Sequence, residues 1–185
     1  MPLDVDHIRA DFPIFMRTIR DGKKLIYLDS GATSQKPQVV IDAESNFYSQ
    51  HNAAAHRGAH QLAEEATELF EEARALVANF IKAKVEEIVF TKSATESLNL
   101  LAYAFSNAEK GSRFEIGSQH SIVVTEMEHH ANLIPWQELS LKTGVKLRFI
   151  PITDDGYLDL STLELTNLNA QFRIYTIINQ QDRSN

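Results

Sequence analysis

Apolar positions recur at two rhythms along the 185 residues. In HQLAEEATELFEEARALVANFI, Leu62, Ala66, Leu69, Ala73, Leu76, Val77 and Phe80 recur at helical spacings. That period predicts a long amphipathic helix with one apolar face. The acidic pairs Glu64–Glu65 and Glu71–Glu72 read as its solvated side. Upstream, Pro37 is placed to open a helix over about residues 37–50, because a missing N–H costs nothing in the first turn. From residue 87 the rhythm changes: EIVF, SIVVTEM, KLRFIPI and FRIYTII are short β-rich runs. Helical patterns at residues 94–105, 131–142 and 161–168 separate them, the last starting with Ser161 and Glu164 at capping-box spacing. Alternating strands and helices predict an α/β domain with a mainly parallel sheet and flanking helices. The unbroken apolar strands suit a sheet covered on both faces. No repeat, low-complexity tract or Pro/Gly/Ser linker suggests an internal boundary.

In such sheets ligands bind beyond the carboxyl ends of the strands. Two stretches are predicted to lie there. FTKSATES joins the first β-rich run to its helix, and MEHHAN follows the second. KSATES lacks the glycines of a Walker loop or a dinucleotide fingerprint. It still sets Ser93, Ala94, Thr95 and Glu96 at a helix start, where free N–H groups and the helix dipole favour an anion. Ser93 with Glu96 also reads as a capping box, and a cap leaves other N–H groups free for a phosphate.

The adjacent His129 and His130 invite a metal reading, which strand geometry disfavours. Neighbouring side chains point to opposite faces of a strand, and no H-E-x-x-H pattern or third ligand accompanies the pair. Two readings remain: a structural histidine, or one imidazole facing a ligand. A flat imidazole can stack on an aromatic ring and exchange protons near neutral pH. Beside a phosphate pocket, that suggests an aromatic phosphorylated cofactor. HNAAAHRGAHQLAEEAT adds His51, His56, Arg57, Gly58 and His60 ahead of the long helix. It is either a polar loop or a site where Arg57 pairs with a carboxylate and Gly58 allows close backbone approach.

Composition narrows the class. Hydrophobic residues at 43% and charged residues at 23% describe an ordinary globular chain. A net charge of −7 argues against a nucleic-acid or anionic-membrane surface. No apolar run approaches the about 20 residues that cross a bilayer. The N-terminus lacks a signal-peptide layout, so a cytoplasmic protein is expected. Zero cysteines exclude disulfides, thiolate metal sites and a catalytic thiol among these residues.

The blocks YLDSGATSQKPQVVID, HRGAHQLAEEATELFEEAR, EEIVFTKSATESLNLLA and EMEHHANLIPWQ occur in an order that resembles one family. They are similar to the N-terminal half of class V aminotransferase-fold enzymes that use pyridoxal phosphate, above all the Suf-type cysteine desulfurases or selenocysteine lyases. The likeness runs from about residue 8 to 165. It implies the incomplete large domain of a fold-type I pyridoxal-phosphate enzyme, over residues 1–178, followed by a polar tail at 179–185. It also implies that Ala94 and Thr95 bind the cofactor phosphate through backbone N–H groups and the Thr95 hydroxyl. His129 would stack on the pyridine ring and assist proton transfer, while His130 packs or caps. Ala32, His56 and Arg57 would lie on the substrate side.

Family chemistry releases sulfur from L-cysteine, or selenium from L-selenocysteine, leaving L-alanine and an enzyme-bound sulfur for iron–sulfur cluster assembly. The resemblance further implies a homodimer and a sulfur-acceptor protein. The family's cofactor lysine, pyridinium-pairing aspartate and attacking cysteine are expected farther along than this chain runs. In place of a Thr-His-x-x-Asn pattern after FRIYTII, the chain reads NQQDRSN, a tail expected to be loosely attached. Ser93 replaces a frequent glycine, and EKGSRFEIGSQHS is longer than the usual helix-to-strand connection. The expected state is an N-terminal fragment inactive by itself. Rivals are a non-catalytic module that pairs with a full-length desulfurase, another class V enzyme, or a decayed product with exposed sheet edges.

Overall fold

A computed structural model describes residues 3–162 and 174–175, and the chain divides into two compact units, Met1–Val89 and Phe90–Asn185. The division falls inside the EIVF run, where no linker composition marks it.

The first unit holds helices α1 (Val5–Ala10), α2 (Gln38–Asn46) and α3 (Gln61–Ile81). Pro37 is the N-cap residue of α2 rather than its first residue, and a π-type turn over Phe47–His51 follows the helix. The long helix forms where its period predicts. His60 starts it by accepting from the Ala63 N–H, and Lys82 ends it in the left-handed region at φ 58°. The buried positions, however, are Ala63, Ala66 and Ala78. Of the predicted apolar stripe only Ala66 is among them, while Leu76 is 71% and Phe80 87% exposed. Periodicity specifies the helix but not what covers its face. The acidic side is only partly solvated, because Glu65 and Glu71 engage His51 and His56.

In the second unit, β1 (Ser121–Thr125), β2 (Lys146–Ile150) and β3 (Ile174–Tyr175) form a parallel sheet in the order β2–β1–β3. Ile122 stands opposite Leu147 on one side and Ile174 on the other. All of β1 is buried, as a central strand covered on both faces should be. The more open β2 leaves Phe149 46% exposed. Helices α4 (Ala94–Ser106) and α5 (Ile134–Thr143) pack against each other. Leu98 and Ala102 of α4 meet Ile122 and Val124 of β1 and Trp136 and Leu139 of α5 in the core. The connection after α4 adds Ile116 to this cluster. Within it, buried His120 accepts at Nδ1 from the Gly117 N–H at 3.0 Å.

Three expectations change in detail. EIVF joins none of the described strands: Val85–Glu87 form a 3-10 turn, and the Ile88 carbonyl accepts from Arg74 Nη1 instead of a ladder neighbour. The helix predicted over 131–142 begins with a 3-10 turn at His130–Asn132, and α5 proper has Pro135 in its first turn and Gly144 as its left-handed C-cap. The helix predicted over 161–168 is described only at its Leu160–Thr162 start, and the tail at 179–185 lies outside the described residues.

Ile122 of β1 is fully buried in the core it shares with the two helices. Ile122→Ala should therefore cost about 2–5 kcal/mol through lost transfer energy and a residual cavity. Urea unfolding followed by circular dichroism measures it, and a loss below about 1 kcal/mol would mean that the site collapses freely.

Candidate functional site

The site in the second unit is built at the carboxyl end of β1. Beyond Thr125 the chain turns through Glu126–Glu128 into the short His130–Asn132 turn, and His129 is the residue that starts this turn. The His129 Nδ1 accepts from the Ala131 N–H at 3.1 Å. A neutral ring in that arrangement carries its proton on Nε2. The expected capping role thus falls on His129 rather than on His130, because the cap precedes the first residue of the turn. The two rings lie 6.1 Å apart and tilted by 53°, and both residues are exposed. Among the described residues no group of three His, Cys, Asp or Glu side chains is placed to hold a metal ion.

A polar chain running into the core fixes this turn. The Thr125 hydroxyl donates to Glu128 Oε1 at 2.7 Å, and Asn132 Nδ2 donates to Glu128 Oε2 at 2.7 Å. Asn132 Oδ1 in turn accepts from Trp136 Nε1 at 2.9 Å. Asn132 and Trp136 are both 0% exposed, so their polar atoms need these partners. Sequence reasoning misses these residues. The available signal is the spacing of Glu128, Asn132 and Trp136, each four residues from the next.

The start of α4 supplies the second element. Ser93 is its N-cap, and its hydroxyl accepts from the Glu96 N–H at 3.2 Å. Glu96 reaches back to the Lys92 N–H at 2.5 Å, one residue before the position that a regular capping box would use. The Ala94 and Thr95 N–H groups and the Thr95 hydroxyl make no hydrogen bond among the described residues, and both residues are exposed. Asn99 Nδ2 holds the Thr95 carbonyl at 2.9 Å, pinning the first turn. Helix α4 packs against the His130–Asn132 turn, so the elements bearing Thr95 and His129 are neighbours within one unit. An anion on the open N–H groups and a planar group against the imidazole both fit what these residues offer.

The chain matches the family model described as aminotransferase class-V over residues 26–181. The chain belongs to the aminotransferase class-V family. A probable cysteine desulfurase of Mycobacterium leprae is 56% identical over 167 residues, covering 89% of this chain and 39% of that protein. A cysteine desulfurase of Dickeya dadantii is 48% identical over 180 residues, covering 94% of this chain and 42% of that protein. The apo structure of cysteine desulfurase from Thermococcus onnurineus NA1 superposes with a TM-score of 0.71 at 43% identity, covering 87% of this chain and 36% of that one. The chain thus spans about two fifths of the length of the curated relatives it matches. The parallel sheet and flanking helices are those of this class-V fold.

The substrate-side residues of the class-V reading lie in the first unit. Ala32 sits on an exposed turn, where its N–H and that of Thr33 both donate to the Asp29 carbonyl at 3.2 Å. His56 adopts a left-handed backbone at φ 61° and directs Nε2 to Glu71 Oε1 at 3.0 Å. Arg57 is exposed beside it. The Glu71 carboxyl is held below its ordinary value of 4.5, first by the hydrogen bond from Arg74 and also by the charges of Arg74 and His56. Glu65 is lowered likewise, through hydrogen bonds from Gln61 and His51. Carboxyls lowered on folding stabilise the fold above pH 4.5, and that contribution is lost as pH falls through the lowered values.

Asn132→Ala should strand the Trp136 indole N–H in the interior and leave one Glu128 oxygen without its donor, at a cost of about 1–3 kcal/mol. Denaturation followed by the emission of Trp136, the chain's single tryptophan, reads both stability and local packing. An unchanged midpoint and emission maximum would show that the polar chain does not hold the turn.

Proposed function

We propose that this chain provides the cofactor cradle of a pyridoxal-phosphate-dependent cysteine desulfurase. The observation that carries the reading is the pairing, in one unit, of the open N-terminus of α4 with the turn bearing His129. The desulfurase relatives support it at 56% and 48% identity. Ala94 and Thr95 bind the cofactor phosphate, through two backbone N–H groups and one hydroxyl, with the dipole of α4 behind them. His129 lies against the pyridine ring, its plane fixed by the hydrogen bond from Ala131. Its Nε2 is the atom that holds or delivers a proton during turnover. When bound, pyridoxal phosphate supplies an electron sink for bonds broken at the substrate's amino-acid carbons.

The substrate class is L-cysteine, with L-selenocysteine as the alternative, and sulfur passes to an acceptor protein for iron–sulfur cluster assembly. Ala32, His56 and Arg57 serve the amino-acid end of the substrate in this reading. A cytoplasmic homodimer is the working form. The 185 residues contain no cysteine, so the sulfur-accepting thiol is not among them. In this reading the cofactor lysine also belongs to a part of the desulfurase architecture that these residues do not supply. No described helix is long and apolar enough to cross a membrane.

Two measurements test the proposal. The 185-residue chain with added pyridoxal phosphate should release no sulfide from L-cysteine above the cofactor-only rate, because a covalent route lacks its starting groups. Turnover above that background would refute this division of labour. With the remaining part of a desulfurase supplied by fusion or co-expression, absorbance titrations with pyridoxal phosphate should show Thr95→Ala weakening binding by roughly 1.5–3 kcal/mol, or about 10- to 150-fold. His129→Ala should change the bound spectrum with a smaller loss of affinity, and His130→Ala should change neither. The reading of the histidine pair fails if His130→Ala alters the spectrum and His129→Ala does not.

A further inference from the structure

The loop at residues 51–58 is laced to one side of α3 by contacts that are individually weak and jointly directional. His51 Nδ1 meets Glu65 Oε2 at 3.1 Å, and Gln61 Nε2 donates to the other oxygen of Glu65 at 2.7 Å. His56 is held three ways. Its backbone N–H donates to Thr67 Oγ1 at 2.9 Å, and its Nε2 meets Glu71 Oε1 at 3.0 Å. Its ring also stands edge-on to Phe70, with centroids 5.7 Å apart and planes at 87°. Thr67, Phe70 and Glu71 recur at helical spacing, so one face of α3 makes all three contacts. Arg74, on the next turn, donates from Nε to Glu71 Oε2 at 2.9 Å and lies 5.0 Å over the Phe70 ring. Gly58 lets the loop come close, since a Cβ there would stand 2.5 Å from the Ala63 Cβ.

The His56–Glu71 pair is half exposed, at 51% and 40%, and such pairs add little to global stability. What it can do is select a conformation. A non-glycine residue at φ 61° is strained, and such residues persist where their surroundings over-determine them. His56 meets that description. The next residue, Arg57, is exposed and makes no ion pair among the described residues, while its N–H donates to the Ala54 carbonyl at 3.3 Å. Fixing the left-handed turn at His56 therefore fixes the direction in which the backbone presents Arg57.

We infer that Glu71 is a positioning residue for the substrate-side loop: steered by Arg74, its carboxylate locks the His56 imidazole and so aims Arg57. The inference rests on the reading of His56 and Arg57 as substrate-side residues. It requires no cofactor to be tested. The groups facing Glu71 from the loop and from α3 are His56 and Arg74.

The test is amide hydrogen exchange and histidine-ring nitrogen spectroscopy on the full 185-residue chain, with Glu71→Ala and Glu71→Gln. Alanine is the best helix former, so α3 survives the first substitution. The His56 and Arg57 amides should exchange about 3- to 5-fold faster in Glu71→Ala, in step with the loss of one exposed pair. The His56 Nε2 signal should move at the same time. Glu71→Gln keeps an acceptor for Nε2–H and should restore most of the protection, a rescue that general destabilisation would not give. The inference is overturned by wild-type exchange at His56 and Arg57 in Glu71→Ala, by an equal rise along the whole of α3, or by Glu71→Gln behaving as Glu71→Ala does. Failure here leaves the Thr95 and His129 titrations standing, and failure there leaves this measurement standing.

Discussion

A single buried amide organises the second unit. Asn132 donates from Nδ2 to Glu128 and accepts the indole proton of Trp136, while Glu128 also accepts from the Thr125 hydroxyl. The end of β1, the His130–Asn132 turn and the first turns of α5 are thereby one hydrogen-bonded body. Unpaired polar atoms in that interior would each cost about as much as a lost hydrogen bond, so the arrangement has little freedom. His129 projects from this body with its own Nδ1 tied to Ala131. Its orientation thus follows from the hydrogen bonds that hold this body together. The exposed imidazole and the open N–H groups of α4 are what that constraint leaves outward, and they are what a phosphorylated aromatic molecule would meet.

The first unit is held in a different way. Its helix α3 buries only alanines, which lets backbone come close but contributes little apolar area. Order in the loop before α3 comes from polar stitching by Glu65, Thr67 and Glu71, with Gly58 clearing the space. The core of the second unit is strong and non-directional; the stitching of the first is weak and directional.

The contrast explains how much can be read in the sequence. Strand and helix rhythms place β1, β2, α3 and α4 within a few residues, because period alone distinguishes a half-buried helix from a buried strand. The family blocks carry the class-V assignment, and the proposed phosphate and imidazole roles of Thr95 and His129 rest on the same blocks. EIVF joins none of the described strands, because an apolar β-branched run reports propensity rather than ladder pairing. The stripe on α3 misleads for a related reason: its period is right, but the side that packs belongs to Ala63, Ala66 and Ala78. The Glu128–Asn132–Trp136 chain is legible in principle, since its spacing is helical. Polar residues at that spacing are ordinary on surfaces, however, and burial is a tertiary fact. The same holds for Glu71, which reads as one acid in a solvated run until the loop folds back onto it.

The register of the sheet sets a timetable for synthesis. Ile122 has Leu147 on one side and Ile174 on the other, and both partners are made after it. On a ribosome adding roughly 5–20 residues per second, β1 waits several seconds for the second neighbour to appear. During that interval the most apolar strand of the unit is paired by β2 along one edge and open along the other. Nascent-chain crowding or a slow codon between residues 150 and 174 would lengthen that exposure, whereas α3, finished long before, needs no later partner to complete its hydrogen bonds.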